Sequence, residues 1–134
     1  MIKEVFDFNQ RALGVNPKEI PHLEEKHAAF CAKAIREEAQ ELEDETGTPD
    51  HELKVVGQVD ALIDAAYFAI GGLARAGLTE DQAMSCFLAV HQANMTKKLG
   101  ATHRGEMGVP DAAKPADWVG PEAKIRYILF VEKT

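Results

Sequence analysis

The chain has little of what would tie it to a membrane, to an oxidising compartment or to a nucleic acid. Its longest unbroken apolar stretches, 65–73 and 128–131, fall well short of the roughly 20 residues needed to cross a bilayer, so no membrane-spanning helix is expected. The start, Met1-Ile2-Lys3-Glu4-Val5-Phe6-Asp7, lacks the basic-then-apolar order of a secretory signal, and a cytoplasmic location is expected. There are two cysteines, Cys31 and Cys86, without metal-type spacing and among apolar neighbours; they read as buried thiols rather than a disulfide. Basic residues are in deficit: 15 Lys and Arg against 22 Asp and Glu leave a formal charge of −7, which argues against a broad nucleic-acid-binding face. Internal repeats and low-complexity runs are also missing.

What is present is enough apolar residue, 46% of 134 positions, to bury one core, and a single domain over 1–134 is expected. Gly14, Pro17 and Pro21 separate a short helical pattern near Val5 to Leu13 from a long one running from about His22 to Glu45. Thr48 as N-cap and Pro49 at the first helical position then open a third helix that reaches about Ala76. Gly77 suits a left-handed helix end, and Thr79 with Gln82 forms a capping box for a fourth helix ending at Gly100. The stretch from Ala101 to Pro121 is rich in Gly, Pro and charge and reads as a long loop of functional interest. Pro121 and Glu122 open a last short helix, although Ile125, Ile128 and Val131 leave a strand open. The expected architecture is all-α, an antiparallel bundle of four to five helices.

The chemistry-bearing residues fall on the second and third helices. Glu37, Glu38 and Glu41 lie three and four positions apart, so their side chains are neighbours on one helix surface. Taken alone, such a run is more often a solvated acidic face, continued here by Glu43, Asp44 and Glu45. Asp60 and Asp64 are more informative. They sit one turn apart on a row otherwise made of Leu53, Val56, Tyr67 and Gly71, where a carboxylate facing a bundle interior needs a cation or strong hydrogen bonds. Two helices with such clusters would offer hard oxygen ligands suited to Mg²⁺, with Mn²⁺ able to substitute. The five histidines are scattered, and Glu24 with His27 makes one Glu-x-x-His element where a ferritin-like di-metal site needs two. Gly71-Gly72 inside a helix implies a close helix crossing. The third helix is apolar around most of its circumference, which implies a homo-oligomer.

Glu37-Glu38-x-x-Glu41 followed by Asp64 resembles the mark of the all-α nucleoside triphosphate pyrophosphohydrolases, the MazG-like and phosphoribosyl-ATP pyrophosphohydrolase-like proteins. The family usually pairs Glu-x-x-Asp on its second acidic helix; here Ala61 occupies the Glu position and the nearest acid is Asp60. The segments Val90 to Lys97 and Lys114 to Pro121 also resemble phage and bacterial members. The resemblance implies Mg²⁺-dependent hydrolysis of a nucleoside triphosphate to monophosphate and pyrophosphate, in a homodimer or homotetramer. It implies Glu37, Glu38, Glu41, Asp60 and Asp64 as metal ligands, Glu38 or Glu41 as the catalytic base, and Asn94 and Lys97 as substrate-binding residues. Lys114, by position, is a candidate phosphate contact, and Trp118 could stack on a base or pack into the core. Two alternatives stand beside this reading: a phosphoribosyl-ATP pyrophosphohydrolase, and a non-catalytic helical oligomerisation or binding module.

Overall fold

The computed structural model describes residues 1–99 and 111–132. Five helices carry the fold among them: α1 (Ile2–Leu13), α2 (Glu25–Thr46), α3 (His51–Arg75), α4 (Glu80–Met95) and α5 (Glu122–Phe130). Two short strands, β1 (Lys98–Leu99) and β2 (Ala112–Ala113), pair antiparallel with Lys98 opposite Ala113. The expected all-α class holds. Two compact units are distinguished along the chain, Met1–Glu80 and Asp81–Thr134. No described helix is long and apolar enough to cross a membrane.

In the first unit, α1 buries Ile2, Val5, Phe6 and Asn9, spaced at helical period, and packs on α3. It stops at Gly14, whose φ of 67° is the left-handed conformation that a side chain would resist. The connection to α2 then runs past the end of α3. Lys18 N–H donates to the Gly77 carbonyl and His22 N–H to that of Ala76, both at 2.8 Å, so carbonyls left open at a helix end are satisfied by a neighbouring loop. α2 starts at Glu25 rather than near His22, and the His22 amide is held by Ala76 in the connection before it. Gly77 has φ 87°, as a helix-ending glycine should, and Lys18 lies where any β-carbon on it would stand.

The cap of α3 is Asp50 instead of Thr48. Its carboxylate accepts the Leu53 amide at 2.9 Å, and a carboxylate at a helix start also meets the positive end of the helix dipole. Thr48 instead donates its hydroxyl to Glu45 Oε2 at 3.1 Å.

α2 and α3 form an antiparallel hairpin with small residues at its contact. A β-carbon on Gly72 would stand 3.2 Å from Cys31 Sγ, and one on Gly71 would stand 3.4 Å from the Asn9 amide, so the glycine pair does mark a close crossing. At the other end, Gln58 donates to Thr46 Oγ1 at 3.1 Å and the Glu45 side chain rests against Gly57. The residues of α3 that are buried are Ala61, Gly71, Gly72 and Ala74, all small. Leu53 and Val56, 63% and 61% exposed, therefore do not face the interior, whereas Asp64 and Tyr67 farther along the same row are half-buried and Gly71 is buried. Large side chains cannot occupy a contact this close; they are left on the outside of the helix.

In the second unit, α4 buries Ala83, Cys86 and Ala89. It ends at Met95, short of Gly100, because Thr96 turns back through both its amide and its hydroxyl to the Ala93 carbonyl, at 3.2 and 2.7 Å. The last segment is the helix α5 and not a strand. Both cysteines are free and buried, and burial pushes the Cys86 thiol up, away from the reactive thiolate. The first half of the expected loop, 101–110, lies outside the described residues.

Candidate functional site

The α2–α3 hairpin fixes which acids meet. Cys31 stands opposite Gly72 near one end and Glu45 opposite Gly57 near the other. Running the antiparallel register inward from these two anchors sets Glu38 level with Asp64 and Glu41 level with Ala61. The electrostatics agree with this register. Loss of solvent, then the adjacent Glu41 carboxylate, then the charges of Asp64 and Asp60, push the Glu38 carboxyl up from its ordinary value. Three carboxylates from two helices thus act on Glu38.

Glu38 is half-buried, and its Oε2 is buried with no hydrogen-bond partner among the described residues. A buried carboxylate oxygen without a donor costs free energy, and here its nearest neighbours are further carboxylates that can donate only by taking up a proton. Two species would relieve it: a proton shared between Glu38 and Glu41, or a cation. The donor set consists of hard oxygens, which suits Mg²⁺. No three His, Cys, Asp or Glu side chains among the described residues are drawn together as a ready cage. Mg²⁺ does not require one, because it keeps several waters and takes one or two carboxylates together with substrate phosphate oxygens. The residues present therefore fit such an ion.

The other acids are placed differently. Glu37 is exposed and turned to Lys33, with Nζ to Oε1 at 3.9 Å, and its charge is not among those raising Glu38. Asp60 is exposed and Asp64 half-buried, so of the acidic pair on α3 the second is the better enclosed. Ala61, at the position where the resembled family carries Glu, is 1% exposed; a Glu there would push its carboxylate into the helix contact. Asp60, one residue earlier, reaches the same field from the rim.

The remaining sequence candidates belong to the second unit. Asn94 is exposed in the last turn of α4, and its carbonyl accepts the Lys97 amide at 3.0 Å. Trp118 is half-buried, and its indole N–H donates to the Ala93 carbonyl at 2.9 Å, which pins the loop to the end of α4. The ammonium groups of Lys97 and Lys114 stand over the indole ring, 5.2 and 4.8 Å from its centre. An open cavity of about 490 Å³ lies beside the ring, with Gln92, Thr96, Lys98 and Lys124 also in its wall. Reading the sequence singled out none of these last four as site residues. Only the turn after Met95 and the position of α5 bring them to one place.

A family model described as phosphoribosyl-ATP pyrophosphohydrolase matches residues 8–94, from within α1 to the last turn of α4. No curated protein matches the chain.

Proposed function

Since the chain belongs to the phosphoribosyl-ATP pyrophosphohydrolase family, whose chemistry is hydrolysis of a phosphoric anhydride in a nucleotide, we propose that it cleaves a nucleoside triphosphate at its α–β linkage with the help of Mg²⁺. The observation that carries this reading is the buried, unpartnered Oε2 of Glu38 within the field of Glu41, Asp64 and Asp60. Glu38, Glu41, Asp64 and, at the rim, Asp60 surround the place where Mg²⁺ would be held, one or two of them binding it directly and the others through its waters; when bound it offsets phosphate charge and lowers the pKa of its water. Glu38, at the centre of these acids, takes the proton of the attacking water. The water oxygen forms the new bond to phosphorus, and the bridging P–O bond breaks with its electron pair leaving on the departing group. Nucleoside monophosphate and pyrophosphate result. Glu37, exposed beside Lys33 on the same helix, lies farther out than Glu38. The family description also favours phosphoribosyl-ATP as a second substrate candidate.

Pyrophosphate release from a panel of ribo- and deoxynucleoside triphosphates and phosphoribosyl-ATP decides between them. Release is expected with Mg²⁺ or Mn²⁺, to be absent with EDTA, and to be abolished by Asp64→Asn in a protein that keeps its helical circular dichroism. No release from any member of the panel would leave a helical binding module as the better reading.

The same helix supports self-association. Val55, Val59 and Leu62 lie along one exposed stripe of α3, with Val56 and Ile63 beside it, and an apolar surface of this kind is normally covered. A second copy of the chain would cover it, in a homodimer or homotetramer. Light scattering should then give a mass two or four times 14.7 kDa, and Leu62→Glu should lower it; a wild-type mass of a single chain would refute the oligomer.

A further inference from the structure

The charge of the chain is divided unevenly. Residues 1–80 carry 16 acids and 8 bases, whereas residues 81–134 carry 6 acids and 7 bases, so the second unit is the part in which an anion meets no general repulsion. Within it, the described lysines gather around one feature. Lys98 and Lys124 contribute to the wall of the cavity beside Trp118, and Lys97 and Lys114 stand over the ring itself. No carboxylate is ion-paired with any of these four among the described residues. Among the described residues Asp117 is the single acid in the cavity wall, opposed to two lysines there and two more at the indole.

The indole is fixed at both of its polar connections. Its Nε1–H is held by Ala93 O, and the Trp118 amide by Pro115 O at 3.0 Å. A ring so anchored, with ammonium groups already over it, is poorly placed to stack on a base. It is well placed to hold two cations near a cavity whose described wall carries more lysines than acids. Lys124 Nζ also donates to Gln92 Oε1 at 3.2 Å, which leaves the two N–H groups of the Gln92 amide as further donors at the same wall, beside the Thr96 hydroxyl.

We propose that this cavity binds a polyphosphate group, with Lys98, Lys124 and Gln92 as contacts and Trp118 as the post that positions Lys97 and Lys114. Two or more linked phosphoryl groups match a site with several separated point charges better than one phosphate does. The identity of the ligand, free pyrophosphate or the phosphate tail of a nucleotide, rests on the pyrophosphohydrolase reading; the existence of the site does not.

Trp118 is the only tryptophan of the chain, so its fluorescence reports on this cavity alone. Inorganic pyrophosphate titrated into the full chain in EDTA is expected to give a saturable change in emission that weakens with added salt. Lys124→Ala and Lys114→Ala, both at exposed positions, should each weaken the apparent affinity about tenfold or more, and Asp117→Asn should strengthen it. A nucleoside triphosphate that binds more tightly than pyrophosphate identifies the nucleotide tail as the ligand; equal affinity identifies free pyrophosphate. A linear, unsaturable response, or variants that titrate like the wild type, would overturn the proposal. Because EDTA is present throughout, loss of metal-dependent hydrolysis and loss of this site are separate results.

Discussion

Glu38→Gln is expected to lower turnover by about 10²–10⁴-fold, the usual contribution of a positioned general base, while making the metal-free protein more stable. The two effects share one cause. In the folded chain Glu38 is pushed toward its protonated form by burial and by Glu41, Asp64 and Asp60, so its ionised state is less favourable folded than unfolded. The folded state therefore binds more protons than the unfolded one between the ordinary carboxylate pKa and the raised one. Stability in EDTA should fall as pH rises through that window and stay low above it. Glutamine carries no charge and can donate a hydrogen bond to Glu41, so the variant should lose that part of the pH dependence and melt at a higher temperature at neutral pH. Mg²⁺ should raise the melting temperature of the wild type and affect the variant less. Thermal melts from pH 4 to 8, with and without Mg²⁺, read all of this; a variant that melts lower than the wild type in EDTA at pH 7 contradicts it.

Phe6→Ala is expected to cost about 3–5 kcal/mol, the range for deleting a fully buried phenyl group. Phe6 is 1% exposed and, with Val5, is the largest fully buried side chain among the described residues. Much of the remaining buried apolar set is Ala and Cys, with few atoms able to move into the cavity left behind. For a chain whose total stability is typically about 5–15 kcal/mol, this is roughly a fifth or more. Phe8, on the same helix, is 45% exposed and meets Tyr67 edge to face at 5.8 Å between ring centres; Phe8→Ala should cost distinctly less. Urea unfolding followed by circular dichroism compares them. A loss for Phe6→Ala no larger than that for Phe8→Ala would mean that α1 does not anchor α3.

The departure of this chain from the usual acidic pair follows from the same packing. Ala61 is buried where α2 and α3 approach, and the acid is found one residue earlier at the rim. The expected Glu-x-x-Asp position was recognisable in the sequence, but the reason for the alanine was not, because spacing along one helix says nothing about how closely a second helix lies on it.

The sequence by itself determined the helical class and the punctuation of the first 80 residues: Gly14 and Gly77 at positive φ, the glycine pair at a crossing, and the neighbouring acids on α2. These follow from local rules, since φ > 0 favours glycine and a 3.6-residue period puts i and i+4 on one face. The tertiary structure decided which of those neighbours meet. It turned Glu37 to Lys33 and enclosed Glu38 beside Asp64, gave the α3 cap to Asp50, left Leu53 and Val56 outside, and made Trp118 a support for two lysines. Periodicity fixes which residues share a face, but which face is covered depends on where another element can come close. In the first unit that is where side chains are small.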